Sequence, residues 1–114
     1  MVRAFVLLLA QLAATPIVPE TVETSEHGIV DLGSFECRDI TRSTVLRRVC
    51  YDHARQNLIV ASNGAYDRYC GVTAETVAHL LGAPSMGRFF NQNIRPGATG
   101  GRYACRTGEP GRSG

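Results

Sequence analysis

The run CYDH, Cys50 to His53, sets a thiol, a carboxylate and an imidazole within four residues. These are the groups from which a nucleophile, a base and an orienting partner are assembled. On an extended strand, however, neighbouring side chains point to opposite faces, so this string does not converge by itself. His27 falls in a polar, proline-bearing stretch and His79 on the outer side of a predicted helix. There is no HExxH and no cysteine or histidine pair at metal-ligand spacing. The glycine-rich GATGG, residues 97–101, precedes no helix and so makes no phosphate loop. The expectation is a non-enzymatic chain with no metal and no cofactor.

Binding is better served. Tyr66, Arg68 and Tyr69 stand on one predicted strand, and Arg88, Asn91, Asn93 and Arg95 on a predicted short helix close behind it. Arginine forks beside aromatic faces suit phosphate, carboxylate or stacked bases. The same residues also have a structural reading, with the tyrosines in the core and their hydroxyls at its rim, and Arg88 capping a carbonyl or carboxylate. All twelve basic residues are arginine. Residues 20–39 hold six acids against Arg38 alone, whereas the chain from Ile40 onward holds ten arginines against four acids. Such segregation means an acidic arm lying against a basic domain, or a basic surface for an anionic partner.

The opening MVRAFVLLLAQLAA has one arginine, an apolar run and small residues at Ala13 and Ala14, the order of a secretory signal peptide over residues 1–14. The run is too short to span a bilayer, so no membrane span is expected after cleavage. Export to the periplasm or medium makes Cys37, Cys50, Cys70 and Cys105 a disulfide set. Joining Cys37 to Cys105 tethers both flanks of the domain, worth roughly 4 kcal/mol by loop entropy, and leaves Cys50 for Cys70. Geometry resists that second bridge, because strands one and three of a meander lie roughly 10 Å apart and bridged Cα atoms within about 7 Å. It requires Cys70 to have left the ladder at Gly71. The rival pairing is Cys37–Cys50 with Cys70–Cys105.

The elements that must position these groups follow from local pattern. TPIVPETVETSEHG has no sustained period, and residues 15–34 read as a flexible acidic linker. STVLRRVCYD and NLIVAS are strands rich in branched residues. Asn63-Gly64 is a type I′ hairpin signal leading into a third strand, AYDRYC, with Tyr66, Arg68 and Cys70 on one face and Ala65, Asp67 and Tyr69 on the other. Thr73 caps AETVAHLLG, whose Ala74, Val77, Ala78 and Leu81 form an apolar stripe widened by Leu80. Ser85 caps the shorter MGRFFNQNI, with Phe89, Phe90 and Ile94 inward. RYACR is a candidate edge strand.

The series RRVCYD, NLIVASNG, AYDRYCGV, ETVAHLL and APSMGRFFNQNIR resembles the KTSC domain, named for a C-terminal extension of certain lysyl-tRNA synthetases. The resemblance covers about Ser43 to Arg95, with a further strand at Tyr103 to Arg106, and APSMGRFFNQNIR is its most specific part. Of the family's paired tyrosines the second matches Tyr69, while Asp67 holds the place of the first, with Tyr66 beside it. The expected architecture is an α+β domain over residues 35–107, core 43–95. Its antiparallel sheet has three to four strands, one main helix and a short second helix, and it is stapled by disulfides. Residues 108–114 form a disordered tail. The family's function is not established, and RNA binding has been suggested for it. The resemblance implies a non-catalytic binding or interaction module, with an envelope protein or an anionic polymer as partner. The alternative is nucleic-acid binding through the arginine-rich surface, which export disfavours.

Overall fold

The computed structural model describes residues 19–95 and 101–105. Six strands form one sheet: β1 (Thr21–Thr24), β2 (Gly28–Asp31), β3 (Glu36–Asp39), β4 (Leu46–Asp52), β5 (Asn57–Ser62) and β6 (Ala65–Tyr69). A 3₁₀ turn, Leu32–Ser34, joins β2 to β3. Helix α1 (Ala74–Gly82) and the short α2 (Met86–Phe89) follow, and α2 runs on into a π-helical turn, Phe90–Ile94. The strand order is β2-β1-β6-β5-β4-β3. All neighbours are antiparallel except β1 and β6, which pair in parallel at Thr24 and Tyr66.

The α+β class stands, but the sheet is six-stranded and mixed. The difference comes from β1 and β2, which lie inside the segment read as a linker, and from β3. Each is four residues long, and in β1 and β3 polar residues outnumber apolar ones. Strands this short carry little period-2 signal and are held by what they dock on. Conversely, Tyr103 to Arg106 adds no strand among the described residues. Among the described residues its ties to the end of β6 are one backbone bond, Cys70 N donating to Tyr103 O at 2.8 Å, and the Cys70–Cys105 disulfide, with the Tyr103 ring buried. The segment 1–14 that reads as a signal peptide and the tail 108–114 lie outside the described residues.

Chain length forces the sheet to curl. β2 and β3 are opposite edges, five strand spacings or about 24 Å apart in a flat sheet. Only residues 32–35 join them, a reach of at most about 17 Å even when extended. The sheet therefore wraps into an open barrel with two unequal cores. On its helix-covered face Leu46, Val49, Tyr51, Leu58, Val60 and Tyr69 meet Val72, Val77, Leu80, Met86, Phe90 and Ile94. On the inner, concave face Val22, Leu32, Cys50 and Ile59 form a smaller cluster with Val30, Phe35, Cys37 and Tyr66. β5 is buried at all six positions because it serves both.

Local chemistry explains the turns. Asn63 (φ 54°) and Gly64 (φ 81°) supply the two positive-φ residues of the hairpin, as their types predict. Thr73 Oγ1 accepts from Thr76 N at 3.2 Å and Ser85 Oγ from Arg88 N at 3.3 Å, capping both helices. Gly87 has a packing reason: a Cβ there would lie 2.9 Å from Val45 Cγ2, so α2 reaches the start of β4 only without a side chain.

The disulfides are Cys37–Cys50 and Cys70–Cys105, and no described cysteine is free. This corrects the preferred pairing of Cys37 with Cys105 and Cys50 with Cys70. β3 places Cys37 directly opposite Cys50, with Cα atoms 4.0 Å apart, whereas β5 stands between Cys50 and the strand leading to Cys70. The geometric objection was sound. What was missing was the strand at 36–39 that gives Cys37 its register.

Candidate binding site

The CYDH string is divided by its strand. Cys50 and Asp52 face the concave side and Tyr51 and His53 the helix side. Cys50 is consumed in its disulfide. Asp52, 2% exposed, is consumed as an acceptor: Oδ2 takes the Ser34 hydroxyl at 2.8 Å, and Oδ1 the amides of Ala54 and Arg55 at 3.0 and 3.3 Å. His53 packs edge-on to Tyr51, ring centroids 4.8 Å apart, and its Nε2 lies 3.3 Å from Glu36 Oε1. The Tyr51 hydroxyl donates to Val72 O, and burial, with the charge of Asp52, holds its pKa above the ordinary value. Every polar group of the string thus has a structural partner.

The seven residues proposed from sequence do not form one surface. Alternation along β6 sends Tyr66 and Arg68 to the concave face and Tyr69 to the helix face. Tyr69 is 1% exposed and packs edge-on against Phe90, centroids 5.8 Å apart. Burial first, then Asp67, pushes its pKa up to about 12 against the opposing pull of Arg95. Arg95 Nη1 donates to Asn91 Oδ1 at 3.3 Å, and Asn93 Nδ2 donates to Phe89 O at 3.0 Å. Asn91, Asn93 and Arg95 therefore brace the π-helical turn, while Arg88 is exposed on α2. The sheet separates this group from Tyr66 and Arg68.

Sequence reasoning also missed a row of ties on β4. Arg48, Cys50 and Asp52 alternate on the concave face, and each is tied to the chain before β4. Glu20 meets Arg48 with both carboxylate oxygens, at 2.5 and 2.9 Å, Cys37 bridges Cys50, and Ser34 meets Asp52. Arg48 also donates to the Tyr66 hydroxyl at 3.4 Å, and its Nε lies 3.7 Å from Asp39. Hydrogen bonding to Glu20 and then to Tyr66 raises the Arg48 pKa further, and the same bond lowers that of Glu20. Of the two meanings of charge segregation, an acidic arm against a basic domain is the one seen at Arg48. The legible signal was three polar or reactive side chains at period two in RRVCYD.

The helix side holds an open feature. The predicted stripe of α1 is only half covered: Val77 is buried, Leu81 half-buried, and Ala74 and Ala78 exposed. These residues wall a cleft of about 160 Å³ whose floor is Val49 and Tyr51 and whose rim is Glu36, Arg38 and His53. Glu36 and Arg38 belong to β3, an edge strand. Ile40 N donates inward to Arg47 O, so by alternation Glu36 and Arg38 turn their backbone groups to β4, and Cys37 and Asp39 turn theirs outward. Among the described residues no group of three or more acids, histidines or cysteines is placed to hold a metal, and no helix is long and apolar enough to cross a membrane.

Residues 42–97 match the family model of the KTSC domain. An uncharacterized protein of Stutzerimonas stutzeri (strain A1501) is 46% identical over 56 residues, which are 48% of this chain and 79% of that protein. The crystal structure of a KTSC domain protein from Yersinia pestis superposes with a TM-score of 0.54 at 23% identity, covering 63% of this chain and 94% of that one. At that identity the likeness speaks for the fold.

Proposed function

The chain belongs to the KTSC domain family, and from that premise we propose that it is a non-catalytic binding module taking an extended segment of a protein partner along the β3 edge. The observation that carries this reading is the uncovered half of the α1 stripe lying beside an edge strand with outward backbone groups. An added strand satisfies the Cys37 and Asp39 amides and carbonyls, and its alternate side chains enter the cleft between β4 and α1. The Cys37–Cys50 bridge holds that edge rigid, which lowers the ordering cost of binding. Two disulfides support a site of action outside the reducing cytoplasm, periplasmic or secreted. The RNA-binding alternative lacks a continuous surface, because Arg68 and the Arg88–Arg95 group sit on opposite faces of the sheet.

Selection of random peptides displayed on phage tests the reading. Peptides of alternating apolar pattern are expected, which slow amide exchange at Cys37 and Asp39 and lose at least about tenfold in affinity to Ala78→Trp, a substitution that fills the cleft from an exposed helix position. Peptides that bind the Ala78→Trp protein equally well, or no peptide selected at all, would remove the β3 edge as the site.

A further inference from the structure

The concave face carries a second feature, independent of the cleft. Arg68 on β6 lies opposite Ile59 on β5 and is half-buried, and its buried Nε has no partner among the described residues. Asn57 stands on the same face of β5, one diagonal step away. It is 2% exposed, and its Oδ1 is likewise buried without a partner. A buried donor and a buried acceptor left open on neighbouring strands are costly, and a group from solution that bonds to both offsets that cost. Arg55, exposed in the turn between β4 and β5, adds a second positive charge at this end of the face. Asp52, the acid in the adjoining row, has both oxygens engaged by Ser34 and the turn amides. Burial first, and then Arg55, holds the Arg68 pKa below its ordinary value, as expected where two guanidiniums meet without a carboxylate between them.

The backbone opens the same place. Tyr66 O accepts from Ser25 N and Cys70 N donates to Tyr103 O, so both residues present backbone groups to the β1 side of β6. By alternation Arg68 does the same. Among the described residues, however, β1 pairs with β6 only at Tyr66, and the segment around Tyr103 reaches β6 only at Cys70. Among the described residues Arg68 therefore faces a gap between two covering segments.

We propose that Arg68, Arg55 and Asn57 form a binding site for a protonated tetrahedral oxyanion, inorganic hydrogen phosphate. The guanidinium of Arg68 takes two oxygens in its planar fork and Arg55 closes on a third. The remaining P–O–H donates to Asn57 Oδ1. That last bond gives the site its selectivity, because sulfate has the same shape and charge but no proton to donate at neutral pH, and leaves the buried acceptor open.

The test is a titration of the oxidised protein with inorganic phosphate and with sulfate at matched ionic strength, followed at the Arg68 Nε–H resonance. Phosphate is expected to shift that resonance saturably, with sulfate at least about tenfold weaker. Arg55→Gln, on an exposed turn where the fold does not depend on it, is expected to weaken phosphate several-fold while leaving the spectrum otherwise native. An Arg68 resonance that does not respond to phosphate, a response equal for the two anions, or an Arg55→Gln protein that binds phosphate as wild type does would each overturn the site. A phosphate monoester, in which carbon takes the place of the P–O–H hydrogen, is expected to bind as weakly as sulfate, and a monoester that competes on a par with phosphate would overturn the role of Asn57. None of these readouts involves the β3 cleft.

Discussion

The two faces of the sheet are held by different physics. The helix-covered face is an apolar core in which Tyr69, Phe90, Leu80 and Ile94 are 0–1% exposed. Nearly all of it lies within the family-matched residues 42–97. The concave face has a handful of apolar side chains, and its covering strands β1 to β3 precede the matched region. They are joined to it by a disulfide, a two-oxygen ion pair and a hydroxyl–carboxylate bond, all to one row of β4. The matched core holds its own strands and helices together by apolar burial, and its Cys70 bridge reaches out of the matched region to Cys105. An added layer of four-residue strands buries little, and directional or covalent ties make up the difference.

The largest effect separating the faces is expected from Phe90→Ala, which opens a cavity behind Tyr69 in the apolar core and costs about 3–5 kcal/mol. Urea unfolding measures it, and a loss below about 1 kcal/mol would mean the helix-side core is not the principal one. Next is the paired change Cys37→Ala with Cys50→Ala. The bridge closes a separation of 13 residues, worth about 3 kcal/mol by loop entropy. Its loss is expected to free amide exchange in β1 to β3 before β4 to β6. Simultaneous exchange across all six strands would contradict the division into core and added layer.

The smallest effect is a pH dependence confined to the concave side. The Arg48 hydrogen bond lowers the Glu20 pKa in the folded state, so the pair's contribution is complete above the unfolded carboxylate value near 4.5 and is lost as pH falls through the lower folded value. Glu20 lies at the exposed surface, so the gain is modest and screened by salt. Glu20→Gln is expected to flatten the acid limb of stability slightly, with no change in its alkaline limb. A Glu20 carboxyl titrating by NMR at its unperturbed value would show that the ion pair does not persist in solution.

Much of the helix side was legible. Hairpin, caps, stripe and the specific run APSMGRFFNQNIR all carry local chemical reasons, and residues near in sequence satisfy them: Thr73 with Thr76, Ser85 with Arg88, Asn91 with Arg95. The concave side was not legible, because its strands gain their order from residues 13 to 28 positions away in sequence. The proposed site shared this fate. Tyr66 and Arg68 were placed with Arg88, Asn91, Asn93 and Arg95 because strand and helix are neighbours in the chain order. A sheet residue's neighbours, however, are set by the face it points to, and alternation put the two groups on opposite sides.

By itself the amino-acid sequence determined the three central strands, both helices with their caps, the hairpin turn and the alternation of β6. Those rest on backbone conformational preference and on apolar periods that repeat within a few residues. Only the tertiary structure decided the disulfide pairing, the parallel docking of β1 on β6, the curl of the sheet and the open edge beside α1. Each of these depends on which distant strands become neighbours. A residue's own type carries no record of that choice, which was made by the short link between β2 and β3 and by the total surface that curling the sheet could bury.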